Sequence, residues 1–146
     1  MLDHSRLEFT YTEIETKPFP ASKRSIKTFR PLIPIVLINK NKFCQMAVLL
    51  DSGADFNLIH GDVANYLGLN LTAGSKRNIS GISGQIKGYE QKLQIKIGNY
   101  LNKTSVTFSN QLPNNAIAVL GNVGFFDKFT VKFTYPKLIT INRYYG

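Results

Sequence analysis

Tryptophan is absent from this chain of 146 residues, cysteine occurs once, and aspartate plus glutamate number only 9 against 18 lysines and arginines. The lone Cys44 cannot close an internal disulfide, which removes the disulfide-stapled scaffolds of oxidising compartments from consideration. Lying between Phe43 and Met46 in an apolar, strand-like run, it reads as a small core hydrophobe. Absent too is any apolar run near the roughly 20 residues that a membrane span needs. The opening residues Met1-Leu2-Asp3-His4-Ser5-Arg6 carry no apolar signal-peptide stretch, so a soluble, cytoplasmic protein with no membrane partner is expected. His4 and His60 lack metal-ligand company, and neither a metal nor another cofactor is expected. No tandem repeat and no low-complexity tract interrupts the chain.

Hydrophobic residues make up 43% of the chain and charged ones 18%, close to the globular average, so the bulk of it should fold as one domain. Valine, isoleucine, threonine, phenylalanine and tyrosine recur in short runs broken by glycine, asparagine and proline, the pattern of an all-β chain. Residues 1–28 mix charge with Pro18 and Pro20 and read as an N-terminal arm or added strand, and 29–146 as the folded domain. Pro31 to Ile38 is a β run, Asn39-Lys40-Asn41-Lys42 a turn, and Phe43 to Leu50 the returning run of a hairpin that leads directly into Asp51. Val63, Ala64 and Leu67 share one side of a short helix that Gly68 can end. A glycine-rich hairpin spans Ile79 to Ile86 and continues through alternating Leu93, Ile95 and Ile97. Further runs are Ser105 to Phe108, Ile117 to Gly121, Phe129 to Phe133 and Leu138 to Ile141.

The formal charge of +9 admits an anionic partner such as nucleic acid. Lys17, Lys23, Arg24, Lys27, Arg30, Lys40 and Lys42 form an acid-free stretch, whereas Lys92, Lys96, Lys128 and Lys132 are scattered singly along predicted strands. No aromatic-interleaved motif that stacks bases accompanies them, which favours solubility and protected sheet edges.

Asp51 follows the apolar run Ala47-Val48-Leu49-Leu50 and precedes Ser52 and Gly53. A carboxylate at the end of a buried strand is costly to desolvate, so it must be satisfied by hydrogen bonds or be used in chemistry. Gly53 permits a tight turn or close approach to a ligand, and the Ser52 hydroxyl can brace the loop. By itself the tripeptide also suits a plain strand-ending turn.

Three further segments, in order, decide the reading. Leu49-Leu50-Asp51-Ser52-Gly53-Ala54-Asp55, then Gly81-Ile82-Ser83-Gly84-Gln85-Ile86-Lys87, then Ala118-Val119-Leu120-Gly121 with the short helical turn Phe125-Phe126-Asp127-Lys128-Phe129, resemble the retropepsin-like aspartic proteases. This is the family of the retroviral proteases and their cellular relatives. Arg30-Pro31-Leu32 adds to the likeness, which spans about Arg30 to Ile141. It implies an all-β, closed barrel of the acid-protease type with one short helix, active as a two-fold dimer.

The resemblance also implies roles. Asp51, Ser52 and Gly53 form the catalytic set, with Ser52 bracing the two loops and Gly53 offering its carbonyl to a polypeptide substrate. Gly53, Ala54, Asp55, Ile79, Gly81, Ile82, Ser83, Gly84, Ile117 and Val119 contact substrate, Ile82 at the tip of a closing flap and Ile79, Ile117 and Val119 as pocket walls. Core packing is an equally good account of each wall residue taken singly.

Aspartic proteolysis needs two carboxylates close enough to share one proton. Asp55, Asp62 and Asp127 lack a following Ser/Thr-Gly, so the second carboxylate must come from another copy, which implies a homodimer. One Asp51 then activates water while its protonated partner polarises the scissile carbonyl, with an acidic to mildly acidic optimum expected. Two departures stand out: Asn122 follows Gly121 where many members have an arginine that braces the acid at the Asp55 position, and Asn57 stands where viral members usually have Ser or Thr. Arg30 is the candidate to supply the missing charge, across the dimer. Two other readings remain open: a catalytically silent dimerisation or peptide-binding module of the same fold, and a basic nucleic-acid-binding β-barrel.

Overall fold

Ile33, Ile35 and Leu37 are buried, while Pro34 between them is exposed and Val36 only half-buried, so one run of sequence sends alternate side chains into a core. The computed structural model describes residues 6–18, 23–81 and 84–144. Its strands are β1 (Arg6–Thr10), β2 (Thr12–Thr16), β3 (Ile26–Arg30), β4 (Leu32–Asn39), β5 (Lys42–Leu50) and β6 (Leu58–His60). After helix α1 (Gly61–Tyr66) come β7 (Ser75–Gly81), β8 (Gly84–Ile97), β9 (Tyr100–Ser109), β10 (Ala118–Leu120), β11 (Phe129–Thr134) and β12 (Leu138–Arg143).

The main sheet runs β4-β5-β10-β6-β9-β8-β7, and β4 also pairs with β8, so the strands from β4 round to β8 close into a barrel with β7 attached outside the ring. Closure removes sheet edges that would otherwise invite association. Ile33, Ile35, Leu37, Val48, Ile59, Ile95, Val106, Phe108 and Leu120 fill the interior. Cys44 is half-buried and packs against that core.

Helix α1 covers one end of the barrel with Ala64, and Leu67 at its C-cap is likewise buried. His60 supplies the N-cap, its Nδ1 accepting from the Asp62 N–H at 3.0 Å, which gives this histidine a structural task. Gly68 ends the helix at φ +73°, and the Leu69 N–H reaches back to the Ala64 carbonyl at 2.9 Å. That left-handed close is cheap only for glycine.

Beside the barrel, β1 pairs along its length with β12, which pairs in turn with β11. β2 and β3 form a separate hairpin. The N-terminal segment thus contributes a strand to the terminal sheet, and β3 runs across the 28/29 point. The turn at Phe125 to Phe129 is one hydrogen-bonded turn, closed by the Phe129 N–H on the Phe125 carbonyl at 3.1 Å. Among the described residues, no helix is long and apolar enough to cross a membrane.

Candidate active site

β5 and β10 run parallel, with Val48, Leu49 and Leu50 opposite Ala118, Val119 and Leu120, and both strands end at one place. There the two following loops interlock. The Asp51 N–H donates to the Leu120 carbonyl at 3.0 Å, the Asn122 N–H to the Ala54 carbonyl at 2.9 Å, and the Val123 N–H to the Asp55 carbonyl at 2.8 Å. The backbones approach so closely that a Cβ on Gly121 would lie 2.6 Å from the carbonyl oxygens of both Ala54 and Phe56. Only glycine fits at that position.

Asn57 joins the same lock from the side-chain direction. Fully buried, it accepts the Gly121 N–H through Oδ1 at 2.9 Å and donates through Nδ2 to Thr104 Oγ1 and the Ser105 carbonyl, at 3.2 and 3.0 Å. Thr104 Oγ1 passes the contact on to the Gly124 carbonyl at 2.8 Å. A buried amide with both ends satisfied holds a loop in a way that a shorter hydroxyl cannot, because it reaches a donor and two acceptors at once.

Asp51 itself is half-buried, and its Oδ1 accepts the Gly53 N–H at 2.9 Å, which fixes the carboxylate at the mouth of the loop. It lies on a cleft of about 630 Å³. From the sequence-predicted set the structure brings together Asp51, Gly53, Ala54, Asp55, Ile79, Gly81, Gly84 and Val119 around that cleft. Ser52 is exposed and outside the lining, and Ile117 is also outside it, 40% exposed. Ile82 and Ser83 lie outside the described residues. Asp51 and Asp55 are the acids of the lining, and no lysine or arginine joins them, so the cleft is acidic within a chain of charge +9. Among the described residues neither Asp55 nor Arg30 makes an ion pair, and the place of an arginine after Gly121 is taken by Asn122 through its main-chain bond. No group of three or more potential metal ligands occurs among the described residues.

The lining also contains residues that sequence reasoning missed. Phe56 and Leu58 alternate with buried Asn57 and Ile59, but the sequence does not mark this alternation, because the buried pair joins a polar to an apolar residue and the cleft-facing pair is apolar. Gln111, Leu112 and Pro113 come from the loop between β9 and β10, which carries no motif of its own. Gln111 Oε1 accepts the Lys87 N–H at 2.7 Å and Ser109 Oγ donates to the Lys87 carbonyl at 2.5 Å, tying this loop to the β7–β8 hairpin.

Residues 36–122 match the family model described as aspartyl protease. Among solved structures the chain is similar to a retropepsin-like aspartic protease from Rickettsia conorii, at 19% identity and a TM-score of 0.59 over 75% of this chain and 88% of that one. It is also similar to the EIAV protease complexed with an inhibitor, at 22% identity and a TM-score of 0.49 over 73% of this chain and 88% of that one. No curated protein matches the chain in sequence. The likeness to the Rickettsia structure is one of fold: the closed, mostly β barrel with one short helix is retropepsin-like.

Proposed function

The chain belongs to the aspartyl protease family, and on that footing we propose that it is an endopeptidase whose active site is completed by two copies, each giving one Asp51. The observation that carries this reading is the placement of a single, hydrogen-bonded Asp51 on an acidic cleft of about 630 Å³. Asp55, the other acid of the lining, has neither the Ser-Gly that follows Asp51 nor a hydrogen bond to its carboxylate among the described residues. One chain therefore supplies half of a dyad.

In the pair, one Asp51 is ionised and takes a proton from a water held between the carboxylates, while its protonated partner donates to the oxygen of the scissile carbonyl. Gly53 and Ala54 offer main-chain groups to the substrate, Ile79 and Val119 wall the cleft, and the β7–β8 hairpin acts as a flap whose paired residues Gly81 and Gly84 reach the cleft. Asp55 binds substrate main chain. An acidic cleft is a poor seat for a polyanion, which speaks against nucleic acid as the ligand of this site.

Cleavage of a mixed peptide library between about pH 3 and pH 8, at high protein concentration, tests the proposal. Cleavage that disappears in Asp51→Asn and falls steeply on dilution supports a dimeric aspartic protease. No cleavage by an intact dimer contradicts it and leaves a peptide-binding module of the same fold.

A further inference from the structure

Arg77 stands on β7, the first arm of the hairpin taken above as the flap, yet its aromatic partner belongs to the acidic loop, the segment after β5 that carries Asp51 and Asp55. The guanidinium carbon lies 3.8 Å from the centroid of the Phe56 ring. The same guanidinium, through Nη2, is paired with Glu90 Oε2 on β8, the second arm of the hairpin. Both members of that pair are shielded, with side chains 26% and 23% exposed. Cross-strand register explains the direction taken. Arg77 faces Gly88, which has no side chain to meet it, so the long side chain leans away from its direct partner toward Glu90 and the ring. Gly88 must stay small, because a Cβ there would lie 2.7 Å from Thr107 Cγ2.

Phe56 lines the cleft and Arg77 does not. Arg77 therefore acts on a bound peptide indirectly, through the ring and through the hairpin it stands on. A planar guanidinium held flat by a carboxylate is suited to stack on an aromatic face, and shielding from water strengthens the contact. We propose that Arg77 is a positioning residue that latches the flap hairpin to the acidic loop through the Phe56 ring, with Glu90 holding the guanidinium in place. The latch sets the height of the hairpin over the cleft and the angle of the wall that Phe56 presents. This inference rests on the peptidase reading for its effect on substrate, but the latch itself is a statement about contact.

The absence of tryptophan makes the contact readable without turnover, since Phe56→Trp installs a single tryptophan at the ring position, excited selectively on the red side of the absorption of the seven tyrosines. In that background the full chain is compared with and without Arg77→Ala, Arg77→Lys and Glu90→Gln. Arg77→Ala is expected to red-shift the emission and to raise quenching by acrylamide as the ring face opens to water. Arg77→Lys restores part of the signal, because it keeps a cation but not the flat fork. With native Phe56, Arg77→Ala is expected to raise KM about fivefold while kcat stays within about twofold, a factor in the range that a partly shielded cation–π contact supplies.

Emission and quenching unchanged by Arg77→Ala in a folded protein overturn the latch. Should Arg77→Ala fail to fold, Arg77→Lys decides by the same readout. A shifted emission with KM unchanged overturns the positioning role. If no variant or parent cleaves any peptide while the emission still shifts, the peptidase reading fails and the latch stands.

Discussion

Asn57 Oδ1 accepts the main-chain N–H of Gly121 at 2.9 Å, a side-chain tie added to the main-chain bonds between the loop that carries Asp51 and the loop that crosses it. Because Nδ2 of the same side chain serves Thr104 and Ser105, the amide ties both loops to β9 as well. Asn57→Asp keeps the shape but replaces the donor with a charge that nothing buried there can pair. At neutral pH the variant is expected to lose about 2–4 kcal/mol of stability. Burial raises the folded-state pKa of such an acid above its unfolded value. The penalty should therefore be smallest below the unfolded carboxylate pKa, near 4, and grow as pH rises through the folded value. Urea denaturation at about pH 4 and pH 7 reads the difference.

Two glycines near the cleft predict opposite kinds of damage. Gly121→Ala drives a methyl to 2.6 Å from two backbone oxygens that cannot turn aside, so stability should fall by about 2 kcal/mol or more and activity with it. At Gly53 the nearest atom to an added Cβ is the Asp51 carboxylate oxygen at 3.2 Å, a side-chain atom that can give way. Gly53→Ala should keep a melting temperature within a few degrees of the parent while peptide cleavage drops by about tenfold or more, because the displaced group is the proposed catalytic one. Thermal melts and cleavage rates on the same samples separate the two cases.

Burial against the barrel pushes the Cys44 thiol pKa above its ordinary value. Less thiolate is then present at neutral pH, so alkylation of Cys44 by iodoacetamide at about pH 8 should run slower than that of a small free thiol. Full denaturation should restore the ordinary rate. Mass spectrometry of timed samples measures both.

The barrel was legible where local chemistry repeats. Alternating Ile33, Ile35 and Leu37, the glycine-rich hairpin and the apolar run into Gly121 each announce a strand and its ends within a few residues. The pairing of β1 with β12 was not, because it joins the two ends of the described chain: Arg6-Leu7-Glu8-Phe9-Thr10 alternates as a strand does, but alternation does not name the partner strand. Asn57 shows another limit. Read as a residue type, it is an unusual substitution in a familiar loop. Read in place, it replaces a small hydroxyl by an amide that spans three segments, and its partners lie far away in sequence. Gln111, Leu112 and Pro113 escaped notice for a related reason, since a loop enters a cleft only through what its flanking strands pair with.

The arrangement of one carboxylate per chain is tested most directly by mixing. A fixed, low concentration of the parent protein is titrated with Asp51→Asn, peptide cleavage is followed, and native mass spectrometry records the mixed pairs. If each active site needs an Asp51 from both copies, cleavage should fall toward zero as the parent chains are drawn into pairs with a single carboxylate. Cleavage that stays constant while mixed pairs form would place a complete active site within one chain and contradict the account.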